Sequence, residues 1–235
     1  MDKRKDKQPK PKRKKSVFRE YVESLIIALI LALCIKYSIV EAYKIPSGSM
    51  EDTLLVGDFL LANKFIYGSR LPLIGVRLPA LAQPKPGDVV IFKYPGNLSI
   101  NYIKRCVAAE GQIVEVRNKV LYVDGKRIPD PPGAKHEDTE IQEARDNYGP
   151  IRIPKGYIFM MGDNRDRSYD SRFWGPLSKR LVLGKAMIIH YSWASDENSP
   201  SVSLYDLASV PNWLLYNLTH FPQRVRWNRI GHIIR

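Results

Sequence analysis

The chain reads as a mainly β protein, an irregular β-sheet or barrel-like domain, behind one N-terminal transmembrane helix. From Gly57 onward, short runs rich in β-branched and aromatic residues alternate with Gly, Pro and Asp punctuation. No long stretch of that region places apolar residues at helical spacing. The strongly apolar residues gather instead near the N-terminus, where Leu25 to Ile35 form eleven in succession. With 235 residues, 44% of them hydrophobic, the chain can build one sizeable core or two small ones.

The net charge of +13 is unevenly placed, because residues 1–20 hold ten Lys/Arg against three Asp/Glu. This tail, "MDKRKDKQPKPKRKK" and its continuation, is charged and nearly free of apolar residues, so it does not fold alone. A nucleic-acid-binding arm is one reading of it. The apolar segment behind the tail favours another: residues 21–42 as a helix match a bilayer core in length at about 1.5 Å per residue. Glu23 and Lys36 lie near the ends of the span, where charged side chains reach the interface. Val40-Glu41-Ala42 also resembles the small-residue site of a removable leader. A retained anchor is the preferred reading, and the basic tail then stays cytoplasmic while residues 43–235 lie outside. On that topology the basic tail, which is the nucleic-acid signal, is separated from the folded domain, and no nucleic-acid partner is expected.

Strands are expected at "DFLLANKFIYG", "DVVIFKY", "YIKRCVAAEGQIVEVRN", "VLYVDGKRI", "GYIFMMGD" and "LGKAMIIHYS", with Asp124-Gly125 as a hairpin turn. Residues 130–150 form a polar insertion expected to be a mobile surface loop. Residues 69–84 are apolar but cut by prolines, a loop that dips into the lipid interface or packs on the core. The C-terminal mixture of Trp213, Tyr216, Phe221 and Trp227 with Arg224, Arg226 and Arg229 suits a lipid–water boundary, or a segment that closes the core. Cys34 and Cys106 fall in different compartments, so no internal disulfide is expected, and no Cys/His spacing suits zinc.

Candidate chemistry sits in three segments. In "IPSGSMEDTL" at 45–54, Ser47 and Ser49 flank a glycine, and a serine nucleophile needs a base. Nothing points to any of the four histidines. A lysine serves when burial lowers its pKa. In "NYIKRCVAAEG", strand alternation puts Tyr102, Lys104, Cys106 and Ala108 on one face without a carboxylate, which nominates Lys104; Arg105, on the other face, has equally apolar neighbours. "MGDNRDRSYDSRFWG" at 161–175 interleaves three Asp, three Arg and two Ser after a strand end; the arginines and the missing ligand positions argue against a calcium loop. No metal or other cofactor is expected.

Taken in order with the anchor, "IPSGSMEDTLLVGD", "GDVVIFKYP", "NYIKRCVAAEG" and "GDNRDRSYDSR" resemble the type I signal peptidases, membrane-bound serine endopeptidases that remove signal peptides from exported proteins. The "RWNRIG" ending resembles that of Gram-negative members. The resemblance implies Ser49 as nucleophile, Lys104 as general base, the Ser49 N–H and Ser47 hydroxyl as oxyanion donors, and Ser168 as the group that orients the lysine. It implies supporting roles for Gly162, Asp163, Asp170 and Arg172, and shallow substrate pockets at Ile45, Pro46, Met50, Leu54, Tyr102 and Ile103. Its partners would be signal-peptide-bearing precursors and membrane lipid, near the export translocon, at a bacterial inner membrane crossed once. The chain departs from the pattern at Asp52, where many members carry Pro, and at Asn101, where some carry an acid.

Overall fold

The computed structural model of the chain describes residues 17–68, 79–200, 202 and 209–235. The basic tail up to residue 16 and residues 69–78 of the proline-cut loop lie outside them. Helices are α1 (Val17–Ser38), α2 (Glu143–Asp146), α3 (Ser171–Trp174), α4 (Ser209–Thr219) and α5 (Phe221–Arg224). Strands are β1 (Val40–Lys44), β2 (Asp58–Asn63), β3 (Val89–Tyr94), β4 (Asn97–Ala108), β5 (Ile113–Arg117), β6 (Val120–Val123), β7 (Lys126–Arg127), β8 (Tyr148–Arg152), β9 (Tyr157–Met161), β10 (Leu177–Ser178) and β11 (Val182–Ser192).

The strands make two antiparallel sheets, one of seven in the order β1-β2-β11-β3-β4-β9-β10 and one of four in the order β7-β6-β5-β8. The domain is mainly β, as expected, and of the two forms expected it is an irregular sheet and not a closed barrel: β1 and β10 are edges of an open sheet and do not pair with each other. Both faces of the larger sheet are covered. On β3, Val89 and Ile91 join one buried cluster with Ile45, Met50 and Leu60, while Val90 and Phe92 join another with Cys106, Ile158 and Met160. A strand buried on both sides has no polar face to show, and "VVIF" accordingly has no alternation. A third cluster, with Val114, Val116, Leu121 and Phe159, fills the space under the smaller sheet. Its β6–β7 hairpin turns at Asp124 and Gly125, both at positive φ, as the Asp-Gly pair predicts.

The apolar run at 25–35 falls inside α1, a 22-residue helix, with the side chains at 30, 31, 34 and 35 outside the described residues. Among the described residues, no helix is long and apolar enough to cross a membrane.

Two segments differ from expectation. The insertion at 130–150 is pinned to the rest of the domain. The half-buried Asp166 accepts through its carboxylate from the backbone N–H groups of Glu137 and Asp138, both at 2.7 Å, and Arg145 bonds Asp138 at 2.6 Å and Asp146 at 2.8 Å. Near the C-terminus the helix α4 was not expected. It carries Leu214, Leu215 and Leu218 exposed, although Arg229 and Arg226 beyond it turn inward to buried Asp58.

Candidate active site

Ser49 lies in a single 3-10 turn, Gly48–Met50, that begins after Ile45, Pro46 and Ser47 beyond the end of the first strand. The turn is held from below, because the Met50 side chain is fully buried in the cluster that also contains Ile45 and Leu54. Ser47 stands at its N-cap with extended backbone (φ −139°, ψ 157°), yet its hydroxyl makes no capping bond and remains at the surface. The loop at 162–164 closes on the other side: the Asn164 N–H donates to the Ser49 carbonyl at 3.2 Å.

Lys104 pairs with Val90 in the β3–β4 ladder, just where β4 passes from exposed to buried residues. Its side chain is 4% exposed and its Nζ is hydrogen-bonded to Ser49 Oγ. Burial pushes the amine down to about 8; the carboxylates of Asp170 and Asp163 raise it in part, and the Arg172 guanidinium lowers it further. Near pH 8 about half of such lysines are neutral and able to accept a proton.

Strand alternation sends the next side chain, Arg105, to the opposite face, where it grips Asp163 through Nε and Nη2 at 2.8 and 2.7 Å. Thr53 Oγ1 donates to the same carboxylate at 2.6 Å. A second buried pair lies beside it, with Arg172 donating to both oxygens of Asp170 at 2.9 Å. Asp170 also accepts from the Gly162 N–H at 3.0 Å, and Arg172 donates to the Arg165 carbonyl at 2.6 Å. The first pair binds the loop that carries Ser168 to the strand that carries Lys104, and the second holds that loop's own fold. Gly162 has no room for a side chain: a Cβ there would lie 2.5 Å from the Ser49 carbonyl oxygen and 2.2 Å from Ser168 Oγ.

Ser168 is 4% exposed, and its hydroxyl has no hydrogen-bond partner. The bond to the Lys104 amine implied by the sequence is therefore absent here, and the hydroxyl is left unsatisfied beside Gly162.

A cleft of about 460 Å³ opens over the pair, lined by Pro46, Ser47, Ser49, Tyr102, Ile103 and Lys104 among others. Tyr102 is backed by Tyr94, stacked at 4.6 Å. Ile45, Met50 and Leu54 lie in the core beneath and do not line the cleft. Asp52 adopts a positive φ of 75°, a conformation the fixed ring of Pro cannot reach. Sequence reasoning missed Thr53, Asn164 and the pairing of Arg105; the one signal for Arg105 was its apolar surroundings, the same that nominated Lys104.

A family model described as signal peptidase, peptidase S26, matches residues 18–191. A signal peptidase I of Pseudomonas aeruginosa is 38% identical over 239 residues, covering 88% of this chain and 81% of the relative. One of Aquifex aeolicus is 33% identical over 228 residues, covering 74% and 84%, and one of Bacillus amyloliquefaciens is 31% identical over 185, covering 77% and 89%. A crystal structure of a signal peptidase I from Enterococcus faecalis matches with a TM-score of 0.39 at 27% identity, over 44% of this chain and 97% of that one. The chain belongs to the signal peptidase family, peptidase S26.

Proposed function

We propose that this peptidase removes N-terminal signal peptides from exported precursors, cutting after small residues, with Ser49 as nucleophile and Lys104 as general base. The observation that carries the reading is the buried amine of Lys104 in contact with the Ser49 hydroxyl, its pKa lowered by burial. Neutral Lys104 takes the hydroxyl proton as Ser49 attacks the scissile carbonyl. The ammonium so formed protonates the departing amine, and the same lysine then activates water for deacylation. The Ser49 N–H and the uncapped Ser47 hydroxyl supply the oxyanion donors, typically worth about 3 kcal/mol each in the transition state. Ser168, whose buried hydroxyl has no hydrogen-bond partner, is the group assigned to orient the amine on this reading.

The membrane enters the same reading. The apolar run of α1, taken together with residues 30, 31, 34 and 35 whose side chains lie outside the described ones, is on this reading the anchor that crosses a bacterial inner membrane once, with the N-terminus cytoplasmic and the catalytic domain outside, near the export translocon. The exposed apolar residues of α4, with Trp213 and Trp227, support lipid contact by the domain itself. Holding enzyme and precursor in one bilayer confines their encounter to two dimensions.

Incubating a signal-peptide-bearing precursor in detergent with wild type, Ser49→Ala and Lys104→Ala, followed by mass measurement, tests the proposal. Only wild type should release the mature chain. Full activity in either variant would remove the dyad from consideration.

A further inference from the structure

Residues 133–137, part of the polar insertion, lie against the turn that carries Ser49. A Cβ at Gly133 would fall 2.0 Å from Thr53 Oγ1 and 3.1 Å from the Thr53 backbone nitrogen, so the two segments leave no room for a side chain there. Lys135 forms a parallel bridge with Asn164: its N–H donates to the Asp163 carbonyl at 2.9 Å, and the Arg165 N–H donates to its carbonyl at 3.0 Å. Just beyond, Asp166 holds the backbone of Glu137 and Asp138. The Lys135 ammonium is thereby placed between carboxylates, 3.1 Å from Glu51, 3.0 Å from Glu137 and 3.9 Å from Asp52.

Glu51 is the critical neighbour. Its Oε2 lies 3.3 Å from where a Cβ would stand at Gly48, the residue between Ser47 and Ser49, and both Glu51 and Gly48 line the cleft. A carboxylate so close to the turn repels the anion that forms when Ser49 attacks. Glu137 keeps other partners, the Asn164 amide at 3.0 Å and the Arg167 guanidinium. Without Lys135, Glu51 keeps one long contact to the Asn164 amide at 3.5 Å. The hydrogen bonds that the ammonium donates to Glu137 and Glu51 hold the lysine above its ordinary pKa, so it stays charged across the working range.

We propose that Lys135 is a positioning residue of the reaction, whose ammonium pins Glu51 and neutralises it next to the oxyanion turn. The inference rests on the proposed function. A like charge several Å away at a half-exposed site slows the chemical step by roughly three- to tenfold.

The test uses the full chain in detergent and an internally quenched peptide with Ala at the first and third positions before the scissile bond. Lys135→Met should lower kcat by roughly three- to tenfold with KM within about twofold. Lys135→Arg should keep more than about half of kcat, and 1 M NaCl should shrink the Lys135→Met effect, because salt screens exposed charges. In a Glu51→Gln background, Lys135→Met should change kcat by less than about twofold, a coupling that a purely structural role does not produce. The inference falls if Lys135→Met leaves kcat unchanged, or lowers it equally in both backgrounds. Should Lys135→Met fail to fold, Lys135→Gln in the same two backgrounds reads the same coupling. A wild-type protein that leaves both the peptide and a precursor uncut overturns the proposed function itself, and the inference with it.

Discussion

Gly162→Ala should inactivate the protein while leaving it folded. The added methyl would sit 2.5 Å from the Ser49 carbonyl oxygen, 2.5 Å from Ser168 Cβ and 2.2 Å from Ser168 Oγ. These separations are roughly 1 Å inside ordinary van der Waals contact. Rotating Ser168 removes only the last of them, because its Cβ and the Ser49 carbonyl belong to or follow the backbone. The strand end and the nucleophile turn must therefore part by about 1 Å. Overpacking of this size costs about 1–3 kcal/mol, a fall in Tm of roughly 2–12 °C for a chain of this length. The effect on catalysis is larger, since a misplacement of about 1 Å costs on the order of a hundredfold in rate. Thermal melting followed by precursor cleavage measures both. Ser168→Gly added to Gly162→Ala should not restore activity, because the contact with the Ser49 carbonyl persists. A kcat for Gly162→Ala within threefold of wild type would refute the close-packing account.

The cleavage rate should rise with pH toward a plateau above about 8 as Lys104 loses its proton; a rate flat from pH 6 to 9 speaks against a lysine base. Unfolded lysine keeps its proton up to 10.5 and the folded one only to about 8, so between these values the unfolded chain binds more protons and stability rises with pH, by about 3 kcal/mol over the window. Lys104→Met should therefore exceed wild type in urea melts at pH 7 and lose that advantage by pH 10.5, and parallel pH profiles would contradict this. Arg105→Ala leaves Asp163 as a buried charge without its guanidinium and should cost about 3–5 kcal/mol; a loss below 1 in the same melts would show the pair to be dispensable. Asp52→Pro imposes a φ near −65° where the chain has 75°, and should destabilise by more than about 1 kcal/mol, whereas Asp52→Gly is tolerated; equal melting of the Pro variant would exclude the left-handed turn.

Much of this site follows from local pattern. Strand alternation around Lys104 and Arg105 puts one cation on each face, and the two meet different partners, the Ser49 hydroxyl and the Asp163 carboxylate. The Asp-Gly hairpin and the apolar β3 strand are equally local. What escaped the sequence depends on contacts between distant residues. Arg105 and Asp163 are 58 positions apart, and neither neighbourhood names the other. The polar composition of 130–150 correctly implies a surface segment, but composition does not reveal that Asp166 waits to accept its backbone N–H groups. α4 was hidden by Pro211, which reads as a breaker but sits in the first turn, where the missing N–H costs nothing. The Arg226 and Arg229 side chains looked available to lipid because their partner Asp58 lies some 170 residues earlier.

The short connection between α1 and the sheet acts as a ruler. Only Ile39 separates the helix from β1, and β1 is fastened along its whole length to β2, from Val40 opposite Asn63 to Lys44 opposite Phe59. The ladder continues through Ile45, bonded to the Asp58 carbonyl at 2.8 Å, and Ser49 comes four residues later. A five-residue strand spans about 17 Å at about 3.3 Å per residue, and it cannot stretch or fold back while paired. On the proposed function, the height at which a bond can be cut is set by this strand and not by the mobility of a linker. Precursors would then be sorted by how far their cleavage site stands from their own apolar segment, and lengthening the chain between Ser38 and Val40 should shift that preference without touching a single catalytic group.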